Sequence, residues 1–348
     1  MSITIKEIAA AAGVSRGTVD RVLHNRKGVN QDVAQEIQEL ADKLGYVPNR
    51  AGKILAARKQ QIRFGCMLPD LGNPFFKGVI DGFRRAESEL KDYGVSVDVI
   101  HLRGFDAKTH VETLQKMAAE EYSGMCLTTL DVPEVQKEIY SITQNGIPVV
   151  SVNTDIPDSG RICYVGTDYA KAGHTAAGML SLITRAESLK ESEHCEKILI
   201  VSGSFKIRGH NERISGFKAG LDSHHICYDI VDTVEAFDDN DDSYRLTRDI
   251  LVQHTEITSV FIVAGGVPGV YRAVKELKRN TLIILAFDEL PEIRQAISEG
   301  GIGFTICQEP EMQGYMGIMR LFGYLMEEGK KDVHDYITDT IIKIADNI

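Results

Sequence analysis

No stretch of eighteen consecutive apolar residues occurs among these 348 residues, so the chain contains no candidate membrane-spanning helix. It does not open on a charged leader followed by an apolar run, and secretion is not expected. Its six cysteines (Cys66, Cys126, Cys163, Cys195, Cys227 and Cys307) stand singly, with no C-x-x-C pair. That scatter argues against a zinc site and a disulfide framework, and predicts reduced core thiols in a cytoplasmic protein. There is no P-loop, no G-x-S-x-G elbow and no pair of histidines at metal-ligand spacing. Ala264-Gly-Gly-Val-Pro-Gly269 follows a strand pattern but lacks the full G-x-G-x-x-G spacing of a dinucleotide loop. Asp238-Asp-Asn-Asp-Asp242 starts like a calcium loop, yet Ser243 stands where glycine is needed and Asp249 where glutamate is. A solvated loop that caps the next helix is the expectation there. No catalytic set emerges, and no cofactor or metal is expected.

What is present is unevenly distributed. The whole chain carries a net charge of -11. Residues 1–63 nevertheless hold eleven basic and six acidic side chains, a net of +5. A small basic head on a large acidic body suits one dedicated phosphate-facing module. With 43% hydrophobic and 26% charged residues, the rest is ordinary for a globular chain long enough to form two or three domains.

The head reads as short helices. Thr4 and Glu7 have capping-box spacing, and Ile5, Ile8, Ala9 and Ala12 share one helical face. Gly13 offers a tight turn, Ser15 a cap, and Val19, Val22 and Leu23 repeat the apolar stripe. Two helices joined through a glycine turn make a helix-turn-helix, with Arg16, Gly17, Thr18 and Arg21 facing outward. An ordinary helical hairpin with solvated arginines is the alternative. Asn30 can cap a third helix reaching about Leu44, with Val33, Ile37, Leu40, Ala41 and Leu44 inward. Residues 49–57 suggest a short helix that orders conditionally.

From Ile62 onward, apolar runs alternate with helical patterns. The runs are 62–68, 95–102, 125–128, 149–152, 198–201, 227–231, 259–263, 282–287 and 303–307. Such alternation predicts parallel sheets with helices on both faces, and a body of this size predicts two α/β lobes. Ligands of open α/β sheets bind beyond the carboxyl ends of the strands, so polar residues there are the ones to inspect. No long internal repeat is visible.

Ile5–Leu23, followed by Leu44-Gly-Tyr-Val-Pro-Asn-Arg50, closely resembles the DNA-binding head of the lactose-repressor (LacI/GalR-type) family. Phe64–Phe76, Gly166–Gly173, Ala286-Phe-Asp288 and Thr305-Ile-Cys-Gln308 continue the likeness into a body similar to periplasmic sugar-binding proteins. The resemblance covers essentially the whole chain. It implies a helix-turn-helix head over 1–47, a hinge helix and linker over 48–61, and a two-lobed effector-binding and dimerisation domain over 62–348. It also implies a homodimeric repressor of carbohydrate genes that binds a pseudo-palindromic operator. A solute-binding receptor for a sugar transporter is the alternative.

Carried over residue by residue, the resemblance gives Arg16, Gly17 and Arg21 the base-reading positions, and Thr4, Ser15, Thr18 and Asn30 the phosphate contacts. Asp20 departs from the small hydroxyl residue common in the family. It can hold Arg16 through a salt link or accept from a cytosine amino group. His24 replaces a usual asparagine. Asn49–Ala56 matches the hinge helix, with Leu55 as the minor-groove wedge, or else a linker residue packed on the body. Ala51 and Gly52 replace the more usual valine and alanine, and Gly52 weakens the helix by about 1 kcal/mol relative to alanine, so the hinge is expected to depend on DNA and its dimer partner to fold.

In the body the resemblance implies a sugar or polyol pocket between the lobes. Asn73, Phe75 and Phe76 form its first loop, although at least one phenylalanine is expected to be plain core. Arg213 supplies a guanidinium fork, Asp288 and Gln308 end strands, and Asn153 stands where aspartate is usual. Asp131 is a candidate with a helix-capping alternative. Relatives usually carry Asn-Asp after the 259–263 run, where this chain has Ala264-Gly-Gly266, so a clamping side chain is missing and backbone amides around Gly265 are expected to face the ligand. The chain ends soon after residues 336–344, which leaves no room for a heptad tail and predicts a dimer.

Overall fold

The structure, a computed structural model, describes residues 3, 5–23, 28–44, 61–69, 73–188, 195–327 and 333–348. Thr4, His24, Asn49 and Leu55, and with them the hinge, lie outside the described residues. The chain divides into two compact units, Met1–Gln60 and Gln61–Ile348.

Among the described residues, the first unit holds three helices, α1 (Ile5–Ala11), α2 (Arg16–Leu23) and α3 (Gln31–Lys43). Their apolar faces close one small core in which Ile8, Val19 and Ile37 are fully buried, with Ala9, Val22 and Ala41 around them. Gly13 joins α1 to α2 at φ 65°, a left-handed conformation that costs glycine little. Ser15 caps α2, its Oγ accepting from the Thr18 amide at 3.1 Å. Asn30 caps α3 in the same way, accepting from the Asp32 amide at 2.8 Å.

The second unit is built from two sheets. The first lobe contains β1 (Ile62–Leu68), α4 (Phe76–Glu89), β2 (Val95–His101), α5 (Ala107–Ala118), β3 (Gly124–Leu127), α6 (Pro133–Gln144), β4 (Val149–Asn153) and β5 (Cys163–Thr167). The second contains α7 (Tyr169–Ser188), β6 (Glu196–Ser202), α8 (Arg208–Ser223), β7 (Tyr228–Glu235), α9 (Asn240–Gln253), β8 (Ser259–Ile262), α10 (Val267–Glu276), β9 (Ile283–Phe287), α11 (Pro291–Ser298) and β10 (Thr305–Cys307). The chain then returns through α12 (Pro310–Met326), which packs on α4 and the first sheet, to β11 (Tyr336–Thr338) and β12 (Ile341–Lys343).

The sheet orders are β2-β1-β3-β4-β5-β11 and β7-β6-β8-β9-β10-β12. All described pairings are parallel except β10 with β12. Both lobes therefore repeat one topology, although no sequence repeat announces it. Strands buried on both faces read as continuous apolar runs: β3, β4, β5 and β8 are buried throughout. The apolar runs of the sequence do not include β5, a strand of five residues.

The cysteine expectation needs correction. Cys195 and Cys227 form a disulfide with their Cα atoms 4.7 Å apart. They precede the neighbouring parallel strands β6 and β7, so residues 32 apart in sequence start at one level of the sheet. The remaining four thiols are buried, as expected. Among the described residues, no helix is long and apolar enough to cross a membrane and no group of metal-ligating side chains gathers.

Candidate functional site

In the first unit, burial of Val19 and Val22 turns the opposite face of α2 outward. Arg16, Gly17 and Arg21 are exposed there, while Thr18 and Asp20 are half-buried. Ser15 and Asn30 sit at the amino ends of α2 and α3, where unpaired backbone amides favour an anion such as a backbone phosphate.

In the second unit, a narrow cavity opens where the carboxyl ends of the strands of both sheets face each other. Asn73, Phe75, Phe76, Asn153, Arg213, Gly265, Asp288 and Gln308 all line it. These eight come from sequence positions more than 230 apart, and the doubled topology brings them together. A roomier groove lies between α10 and α11. Three of its charged groups are already paired, Lys275 with Glu299 at 3.0 Å and Arg272 with Asp241 at 2.9 Å. The cleft at the strand ends is therefore the better candidate.

Phe75 and Phe76 meet edge to face, with ring centres 5.3 Å apart. The loop before them is fixed by Asn73, whose Oδ1 accepts from the Phe75 amide at 3.1 Å. Both rings are almost wholly buried yet border the cavity, so the split between core and pocket does not hold. Such rings offer flat apolar faces to the C–H side of a sugar ring.

Arg213 is only 1% exposed. Its helix α8 crosses α7 closely enough that a Cβ on Gly173 would lie 2.0 Å from the Arg213 carbonyl oxygen. The guanidinium lies over the Phe287 ring at 3.7 Å and the Tyr169 ring at 4.5 Å. It donates to the Val263 carbonyl and, at 3.3 Å, to Gln308 Oε1, while its Nε is buried without a partner. Burial lowers its pKa and raises that of Tyr169. A buried cation with an unpartnered donor, in the lining of a polar cavity, is suited to a ligand oxygen.

Asp288 accepts from Gln308 Nε2 at 2.8 Å. Burial pushes its pKa up to about 6, against the opposing pull of Arg213 and Gln308. Asn153 donates through Nδ2 to Gln313 Oε1 at 3.1 Å. His210, bonded through Nδ1 to the Ser204 backbone, is held below the usual histidine range by burial.

Three readings change. Asp131 stands outside the cavity: it accepts from Gln136 Nε2 at 2.7 Å and lies 3.7 Å from Arg208, which turns its carboxylate toward α6 and α8. The Gly265 amide does not face the cleft freely, because it donates to Asp238 Oδ1 at 3.0 Å. Asp238 is not simply solvated. Asp239 caps α9, accepting from the amides of Asp241 and Asp242, and Asp238 turns into the cavity. It was overlooked because the apolar run of β7 fades at Val231 while the strand continues to Glu235. Phe105, Thr128, Thr154, Tyr169 and Ile207 also line the cavity without having been singled out.

The chain matches the family described as bacterial regulatory proteins, lacI family, over residues 4–49, and the periplasmic binding protein domain over residues 64–331. This chain is a lacI-family regulator with a periplasmic-binding-protein domain. The regulator is 28% identical over 263 residues to the probable HTH-type transcriptional repressor ExuR of Bacillus subtilis, covering 74% of this chain and 72% of that protein. It is 26% identical over 297 residues to the ribose operon repressor of Halalkalibacterium halodurans, covering 83% and 81%. Among solved structures it resembles GanP, a glucose-galactose binding protein from Geobacillus stearothermophilus, with TM-score 0.74 and 26% identity over 83% of this chain and 99% of that one. A head of the lacI family makes this regulator a DNA-binding protein, and the body gives it a ligand-binding fold.

Proposed function

We propose that this regulator is a cytoplasmic, non-enzymatic repressor of carbohydrate-utilisation genes, and that a sugar-like effector bound in the cleft controls its hold on a pseudo-palindromic operator. The observation that carries the reading is the convergence of Asn73, Asn153, Arg213, Asp288 and Gln308 with two phenylalanine rings on one cavity. Aromatic faces with a few directed donors and acceptors form a sugar-binding chemistry. The names of the relatives, repressors and sugar-binding proteins alike, point the same way.

In this reading the body dimerises and places two heads on two half-sites. Arg16 and Arg21 read bases, Gly17 leaves one reading position without a side chain, and Asp20 orients Arg16 or accepts from cytosine. Ser15, Thr18, Asn30 and, outside the described residues, Thr4 hold phosphates. His24, Asn49 and the wedge Leu55, also outside them, complete the contact with DNA. Effector shifts the equilibrium only by its difference in affinity between DNA-competent and released states.

The test is operator selection with the full chain, followed by fluorescence anisotropy at several salt concentrations with and without sugars. Operator affinity that changes at least tenfold with a sugar is the expected result. An isolated body (residues 62–348) that binds duplex DNA as well as the full chain, or a full chain with no sequence preference, overturns the reading.

A further inference from the structure

The resemblance implies a clamping side chain where this chain has Ala264-Gly-Gly266, and its absence leaves the cleft with one clamping group fewer. The structure fills that space from another loop. A Cβ built on Gly265 would meet Asp238 Cβ at 2.9 Å and Cγ at 3.1 Å, and one on Gly203 would lie 2.3 Å from Asp238 Oδ1. The carboxylate thus occupies room that exists only because both positions are glycine.

Phe237 and Asp238 are held at φ 52° and 59°, a left-handed pair at the end of β7 that aims the side chain inward. Oδ1 accepts from the Gly265 amide at 3.0 Å and Oδ2 from Asn73 Nδ2 at 3.1 Å. Each oxygen keeps a further lone pair for a hydroxyl donor in the cavity it lines. Asn73 belongs to the first lobe and Asp238 to the second, so the bond spans the cleft.

We propose that Asp238 is an effector-binding carboxylate that replaces the side chain missing at Gly265, and that Asp238 with Asp288 selects an uncharged polyhydroxy effector over sugar acids and sugar phosphates. The inference rests on the cleft being the effector site. The charge balance supports it. Among the described residues, Arg213 is the one permanently cationic side chain lining the cavity and shares it with two carboxylates, while burial disfavours the charged form of His210. An anionic ligand meets a surplus negative charge at close range in a poorly solvated site, whereas hydroxyls find acceptors.

The test uses the full chain with D-ribose, D-xylose, D-glucose and D-galactose, the acids D-glucuronate and D-galacturonate, and D-glucose 6-phosphate. Thermal shift ranks the panel and calorimetry measures affinity. A neutral sugar is expected to bind at least tenfold more tightly than any anionic one. Asp238→Gly, conformationally compatible at φ 59°, and Gly265→Asp, which crowds Asp238, are each expected to weaken that sugar at least tenfold. The double variant moves the carboxylate back across the gap and is expected to recover affinity to within about threefold of the original. A merely structural role for Asp238 gives additive losses, and additive losses overturn the proposal, as does preferred binding of an acid or phosphate. No binding by any sugar in the panel overturns the sugar-site reading itself and this inference with it. Sugar binding indifferent to Asp238→Gly overturns this inference alone.

Discussion

Asn153 and Asp288 end the fourth strand of their respective sheets in the same left-handed conformation, with φ 67° and 70°. Asparagine and aspartate tolerate that region better than most residues, and here it turns both side chains to one cavity. They are also connected. Asn153 donates to Gln313, Gln313 donates to the Gln308 carbonyl at 2.7 Å, and Gln308 donates to Asp288. The relay runs through the crossing from β10 to α12, so the segment that joins the lobes also joins their binding groups.

Gln313 is fully buried and has no place in the cavity lining. Gln313→Leu is therefore expected to lower the melting temperature modestly, with about 1–3 kcal/mol lost through stranded partners. Sugar binding should weaken less than the sugar-induced change in operator affinity. Anisotropy with and without sugar checks it, and an undiminished response would show that the relay carries no coupling.

The raised pKa of Asp288 gives a pH dependence of defined sign. Burial disfavours the charged form, so ionisation opposes folding above about pH 6, and this penalty disappears as pH falls toward the unfolded value of 3.8. A hydroxyl donor prefers the carboxylate, so effector affinity is expected to fall as pH drops through about 6, approaching tenfold per unit below it. Calorimetry from pH 5 to 8 tests this, and a profile unchanged in Asp288→Asn would assign the titration elsewhere.

Arg213 combines charge with packing, since its guanidinium is sandwiched by Phe287 and Tyr169. Arg213→Lys keeps the charge and loses the planar fork, and sugar affinity should fall at least tenfold. Arg213→Met, which restores apolar volume, should hold the melting temperature better than Arg213→Ala. A sugar affinity that survives all three substitutions would remove Arg213 from the site.

On the head, Arg16→Ala is expected to cost about 1–3 kcal/mol of operator discrimination while binding to random duplex is largely kept. The exposed position of Arg16 on the first turn of α2 supports this. Equal loss on both kinds of DNA in a gel-shift titration would mean that it contacts phosphate only.

Local patterns made much of this legible in the sequence. Alternating periodicities specify three head helices and a parallel α/β body, because the 3.6 and 2.0 repeats are local properties of the chain. The family resemblance marked eight of the cleft residues, several of them at strand ends. Tertiary structure alone decided that β7 continues past its apolar run and delivers Asp238 to the cavity, that Asp131 turns away from it, and that Cys195 meets Cys227. It also decided that two lobes without visible sequence repetition share one strand order. The physical reason is common to all four: each depends on which segments distant in sequence become neighbours, and apolar periodicity records only whether a residue is buried, not against what.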